Sequence, residues 1–170
     1  MAGSPHLSQR GARVFILAVF SLLGACGQPQ TQLPDLSLRV SCKAETARAI
    51  EPEIEAFLRA HRFKVLNLAA LRRGRSIAAP WPLEIEGLDD HDRLVRVISH
   101  DISPDEQSLA FYSPPPTRHD NALEQSLTSF FEAKCGPVAA ERQSNDSSAA
   151  GVHEAHVRAL KQRLTEAEMT

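Results

Sequence analysis

A short apolar run near the start of the chain separates a removable segment from the part that can fold. Residues 14–23 are apolar apart from Ser21, and the basic side chains Arg10 and Arg13 precede them. Ten residues are too few for a membrane-spanning helix, which takes about 20. A basic start followed by a short apolar core is typical of secretory signals. The pattern predicts that residues 1–25 are removed after export.

The residues that close this segment are Leu23, Gly24, Ala25 and Cys26. An aliphatic residue, two small residues and a cysteine resemble the lipobox of bacterial lipoproteins. The resemblance covers only the first 26 residues. It implies a diacylglycerol on the Cys26 thiol and cleavage before it, so we expect Cys26 to be the lipidation site. The alternative is an ordinary secreted protein cut after Ala25, with Cys26 free or in a disulfide.

Two further expectations follow from this resemblance. Each buried methylene contributes about 0.8 kcal/mol, so two or three acyl chains would hold the protein stably on a membrane. Gly27 follows the cysteine where lipoproteins retained in the inner membrane carry Asp. The resemblance therefore implies an outer-membrane lipoprotein facing the periplasm, with membrane lipid as its first partner.

The charge of the remaining chain gives no sign of a nucleic-acid partner. The full chain has a formal charge of −2, and loss of Arg10 and Arg13 makes it −4. Nucleic-acid binding requires a basic patch or stripe, which an acidic chain of this kind does not suggest. Residues 26–170 are enough for one compact domain with its own core.

Two cysteines remain once Cys26 carries lipid. Cys42 and Cys135 form an even pair in a chain predicted to enter an oxidising compartment, which favours a disulfide between them. The alternative is two separate buried thiols. Neither cysteine has a histidine or third cysteine at ligand spacing, and His153 and His156 are three residues apart instead of four. The sequence therefore indicates no metal site and no cofactor.

The hydrophobic pattern predicts an α+β domain over residues 38–137. Helical periodicity is clear at 44–60 and again from about 120 to 135, with Pro52 inside the first helix. Four short strands are predicted between the helices, within 63–71, 83–86, 93–99 and 109–112. We expect an antiparallel sheet of about four strands with both helices on one face, a tether at 26–37, a linker at 138–151 and a detached helix at 152–170.

The disulfide and the number of strands support each other. If every connection is a short reversal, an even number of strands makes the second helix run opposite to the first. Cys42 before one helix and Cys135 at the end of the other would then lie at the same end. An odd number would separate them beyond the roughly 7 Å limit for a disulfide.

The sequence contains no recognisable catalytic motif. It has no nucleophile elbow, phosphate-binding loop or zinc-protease motif. His100 and His119 each precede an aspartate, and imidazole beside carboxylate is the pair a general base needs. Adjacent residues of a strand point to opposite faces, however, so such neighbours are poorly placed to interact. An envelope hydrolase using His100 or His119 is therefore kept as the alternative hypothesis.

A non-enzymatic binding or interaction module is the leading hypothesis. Arg72, Arg73 and Arg75 surround Gly74, and guanidinium groups suit phosphate oxygens or acidic partners. Trp81 lies between two prolines on a stiff backbone, which suits either a plug at an edge strand or an aromatic contact with a partner. These four residues are the predicted partner-binding site, although a solvated loop would have the same composition. A third hypothesis is that the C-terminal helix mediates self-association.

Overall fold

Six antiparallel strands and four helices make up the described part of the chain. A computed structural model describes residues 32–75, 83–99 and 105–169. The strands are β1 (Leu36–Ser41), β2 (Lys64–Asn67), β3 (Glu84–Leu88), β4 (Leu94–Ser99), β5 (Glu106–Tyr112) and β6 (Val138–Arg142). The helices are α1 (Ala44–Ala60), α2 (Leu68–Gly74), α3 (Asn121–Cys135) and α4 (Ala150–Glu168). This confirms the predicted α+β class.

The strand order is β2-β3-β4-β5-β1-β6, and every neighbouring pair is antiparallel. Four strands lie between α1 and α3, as the sequence predicts, but the total of about four was wrong. β1 was assigned in part to the tether, and β6 was assigned to the linker. Because β1 pairs with both β5 and β6, the first strand lies inside the sheet.

The main core lies between α1, α3 and one face of the sheet, which confirms the predicted position of these two helices. Alternate residues of each strand point to this face because side chains alternate along a strand. The fully buried members include Leu38 of β1, Ile85 of β3 and Phe111 of β5. They pack with Ile54 of α1 and Leu127 of α3 in one cluster.

Helix α4 covers part of the opposite face, so the prediction of a detached C-terminal helix was wrong. Val157, Leu160 and Leu164 are spaced by three and four residues, and all three are buried. They form a second cluster with Leu66 of β2 and Leu94 of β4. A narrow apolar stripe is sufficient here because the helix also docks through polar contacts.

The disulfide joins Cys42, just before α1, to Cys135, the last residue of α3. The two Cα atoms are 5.0 Å apart. In the chain-entropy description, closing a loop of about 90 residues stabilises the folded state by about 4 to 5 kcal/mol. The predicted pairing is therefore present. It lies where the start of α1 is beside the end of α3.

The basic segment after β2 is also different from its prediction. It forms the short helix α2 instead of a loop. Asn67 begins this helix, because its side-chain oxygen accepts from the Ala70 N–H at 2.8 Å. The sequence of α2 contains Leu, Ala and Arg, which are all strong helix formers.

Candidate functional site

The two ends of the sheet carry different chemistry. One end, the entry end, is where the described chain begins. There β1 starts at Leu36, beside the end of β5 and the end of β6. The opposite end holds the disulfide, the start of β3 and helix α2. Five steps along β1 separate the two ends by about 17 Å.

A buried carboxylate organises the entry end. Asp35 is 1% exposed, and both of its oxygens accept hydrogen bonds. Oδ2 accepts from the backbone N–H and the hydroxyl of Ser113. Oδ1 accepts from Thr117 Oγ1 at 2.5 Å and from Asn145 Nδ2 at 2.9 Å. Hydrogen bonds to an ionised group are among the stronger ones in proteins, so this carboxylate ties three separate segments together.

Residues before Asp35 are also held by the domain. The side chain of Gln32 is buried and donates to the Ser113 carbonyl at 3.1 Å. Its amide oxygen lies 3.0 Å from Nδ1 of His153 on α4. Asn145 contacts both the N–H and the carbonyl of Leu33. The segment predicted as a free tether to residue 37 is therefore part of the folded body from residue 32 onward.

His153 connects this segment to α4. It is 3% exposed, and its Nε2 lies 2.8 Å from the Asp92 carbonyl. Burial lowers the pKa of His153, because the imidazolium form loses solvation there, and this outweighs the attraction of the Asp92 carbonyl. The histidine weighed as part of a near-miss zinc motif instead has a packing role.

The predicted arginine site lies at the opposite end, on α2. Arg72 forms an ion pair with Glu84, and Arg73 with Glu51. Both carboxylates are buried, with residue exposures of 4% and 6%. The Oε1 atom of Glu51 also accepts from Asn67 Nδ2 at 2.6 Å. These contacts fix α2 against β3 and α1. The guanidinium groups of Arg72 and Arg73 are therefore already paired with carboxylates of the same domain.

Of the other two predicted partner-binding residues, Arg75 is among the described residues and Trp81 is not. Arg75 follows α2 and is exposed at its C-terminal cap. Trp81 lies outside the described residues, as does His100. Arg75 is therefore the predicted residue whose exposure best suits contact with another molecule.

His119 contacts the carboxylate of Glu124, five residues further along the chain. Its Nδ1 lies 2.8 Å from Oε1 of Glu124, and its Nε2 lies 3.4 Å from Oγ of Ser144. Glu124 is 0% exposed and also accepts from Arg142 Nε at 2.7 Å. Carboxylate, imidazole and hydroxyl thus occur in the order that serine hydrolases use. Ser144 is exposed.

Asp120, the neighbour of His119, has a different role. It caps α3 by accepting from the Leu123 N–H at 3.1 Å, and it pairs with Arg93 at 2.7 Å. The Leu123 hydrogen bond, followed by that of Arg93, lowers the pKa of Asp120. An open cleft of about 570 Å³ adjoins Asp120, lined also by Pro114, Pro116 and Arg118. His119 and Ser144 are not among the residues that line it.

Other features bear on the predicted function. Cys26 and its lipobox lie outside the described residues. Within 32–75, 83–99 and 105–169, no helix is long and apolar enough to cross a membrane. The same ranges contain no group of three or more His, Cys, Asp or Glu placed to hold a metal ion.

No protein-family model, curated protein or solved structure matches the chain. Its function must therefore be inferred from the contacts described above.

Sequence reasoning missed the residues that hold the entry end. Ser113 lies 78 residues from Asp35 along the chain, and Asn145 lies 110 residues from it, so no local pattern relates them. One signal was present: Leu36, Leu38 and Val40 alternate with polar residues, which is typical of a strand. Glu124 could be found from helical spacing, since it shares the buried face of α3 with Leu127 and Phe131.

We expect the stability of the domain to fall as the pH is lowered through the range of His153. Its folded-state pKa lies below the unfolded value of 6.5, so the unfolded chain takes up the proton first. The loss therefore begins near pH 6.5 and amounts to at most about 1.4 kcal/mol per pH unit. Denaturant unfolding of wild type and His153→Gln between pH 7 and pH 5 measures it.

The His153→Gln variant should be less stable at pH 7 but lose less stability on acidification. His91→Gln is the control, because His91 is exposed and is not among the groups that shift the pKa of His153. Equal pH slopes for wild type and His153→Gln would show that His153 does not control this loss.

Proposed function

We propose that this chain is a lipid-anchored protein of the bacterial envelope, held by acyl chains on Cys26, whose α+β domain binds an envelope partner. The outer membrane facing the periplasm is the proposed location, from Gly27 after the cysteine. The anchor rests on the lipobox resemblance. The Cys42–Cys135 disulfide supports export, because such bonds persist in oxidising compartments.

One observation carries the binding proposal: the chain enters the domain at one end of the sheet, and α2 lies at the other. Gln32 is fixed at the entry end through Ser113 and His153. Arg75 is exposed just after α2, and α2 begins where β2 ends, about 17 Å along the strands from the entry end. A partner can therefore approach the α2 end without meeting the membrane to which the other end is tied.

The lipid anchor predicts a strict dependence on one thiol. Cys26→Ser should prevent lipid attachment, abolish labelling by radioactive palmitate and move the protein from the membrane fraction to the soluble fraction. The matched control is the double variant Cys42→Ser with Cys135→Ser, which removes the disulfide but keeps the acceptor. Membrane retention of Cys26→Ser with unchanged processing would contradict the anchor.

Partner binding at the α2 end can be tested in cells by a photo-crosslinking residue at position 75. We expect a reproducible adduct of one mass that is lost when Trp81→Ala is added. The matched control places the same crosslinker at Glu154, which is exposed on α4 near the entry end. No adduct at position 75, or equal adducts at both positions, would contradict a binding site beside α2.

Arg72 and Arg73 need a separate assay. Arg72→Ala leaves Glu84 buried without its closest cation, which costs about 1 to 3 kcal/mol of stability. If this variant loses binding, the loss can come from the missing arginine or from the lower stability of the domain. A stability measurement is needed to separate the two. Arg75→Ala should reduce crosslinking to the partner while the denaturation midpoint stays within experimental error.

A serine hydrolase is the second candidate, favoured by the Glu124, His119 and Ser144 contacts. In such a reaction Ser144 Oγ attacks an ester carbonyl while its proton passes to His119 Nε2. The leaving alcohol then takes that proton, and water releases the acyl group. It ranks second because the Asn145 N–H, next to Ser144, donates to Thr117 Oγ1 at 2.7 Å and is not free to stabilise an oxyanion.

A fluorophosphonate probe tests this candidate directly. If the site is catalytic, the probe should label the wild-type protein and fail to label Ser144→Ala and His119→Ala. Ser148→Ala is the control, because Ser148 is also exposed in the segment after β6. Absence of labelling in the wild-type protein would exclude an activated serine.

A further inference from the structure

We infer that the domain rests on the bilayer through one defined surface at the entry end, rather than moving freely on its anchor. This surface consists of the exposed residues Leu33, Pro114, Pro116, Arg118 and Arg158, and is called the seating surface. The inference deepens the proposed function and depends on its lipid anchor at Cys26. Its occupant is the headgroup layer of the membrane that holds the acyl chains.

The covalent length of the chain limits how far the domain can be from the lipid. Gln32 is buried and hydrogen-bonded on two sides, so the fixed body begins there. Six peptide links connect it to Cys26, and fully extended they span at most about 22 Å. The entry end is therefore held within about 22 Å of the lipid, whereas the opposite end, about 17 Å farther along the strands, can lie well beyond that distance.

A short connection also makes weak contacts effective. Linking two surfaces by a short chain gives an effective concentration in the millimolar range. Contacts that would be negligible between separate molecules can then be occupied most of the time. The seating surface does not need to bind vesicles on its own, and we expect the domain without lipid to remain in solution.

The surface chemistry suits a headgroup layer. Leu33 is 50% exposed and is one of two large hydrophobic residues so exposed among the described residues. Arg118 and Arg158 can donate to phosphate oxygens. Glu154 and Asp146, which follows the Leu33 partner Asn145, are exposed opposing charges nearby, while Asp92 and Lys161 pair with each other at 2.7 Å. With so small a net charge, contact should not require anionic lipid and should depend little on salt.

The opposite end offers a matched reference position. Ala133 is exposed near the end of α3, close to Cys135. The chain has three cysteines, so with Cys26 lipidated and the other two in the disulfide, an introduced cysteine is the only free thiol. Leu33→Cys and Ala133→Cys can therefore each carry one environment-sensitive fluorophore.

The experiment uses the mature lipidated protein in phosphatidylcholine vesicles that contain a lipid with a quencher on its headgroup. We expect several-fold stronger quenching at position 33 than at position 133, little changed between low and high salt. Equal quenching at the two positions, or stronger quenching at position 133, would overturn the seating inference.

Lengthening the connection gives an independent test. A Gly/Ser segment of about 20 residues inserted between Thr31 and Gln32 should lower the effective concentration roughly ninefold. Quenching at position 33 should fall toward that at position 133, while the protein still floats with the vesicles. Unchanged quenching would mean that the tether does not seat the domain.

Failure of the anchor and failure of the seating give different results. If the wild-type mature protein does not float with vesicles, or if Cys26→Ser floats equally, the proposed lipid anchor is wrong, and the seating inference fails with it. If wild type floats, Cys26→Ser does not, and both labels are quenched equally, the anchor stands and only the seating inference is wrong.

Discussion

The buried carboxylate of Asp35 is the interaction on which the entry end depends. Ser113 and Thr117 lie in the connection between β5 and α3, and Asn145 lies in the connection after β6, so one side chain joins two connections that are distant from it in sequence. These partners are hydroxyl, side-chain amide and backbone N–H groups, all of them neutral donors. Removing the carboxylate would leave several donors without an acceptor inside the protein, which is more costly than losing an exposed ion pair.

The parts of the fold that sequence predicted are those with strong local periodicity or a covalent constraint. Helices α1 and α3 have wide apolar stripes, and the disulfide required an even number of strands between them, which the structure has. Strand β6 could not be found in this way, because Val138–Arg142 is short and mostly exposed. Its identity depends on pairing with β1, a non-local interaction that has little trace in its own residues.

The candidate sites show the same division between local and distant information. Arg72 and Arg73 were identifiable as a basic cluster, but their ion pairs with Glu84 and Glu51 depend on how α2 packs against the sheet. His119 was identifiable as an imidazole beside an acid, yet its acidic partner is Glu124, not Asp120. In both cases residue type was visible in the sequence, and the partner was fixed only by tertiary structure.

The position of β1 in the sheet suits the proposed connection to a membrane. Force applied through Gln32 reaches β1, which pairs with β5 on one side and β6 on the other. An edge strand could be peeled away from one neighbour, whereas β1 must break backbone hydrogen bonds on both sides. Since Asp35 immediately precedes β1 and is hydrogen-bonded to two further connections, such a pull would be shared by the entry end before it reached α2. Motion of the proposed anchor would therefore be taken up at the entry end before it reached the surface beside Arg75.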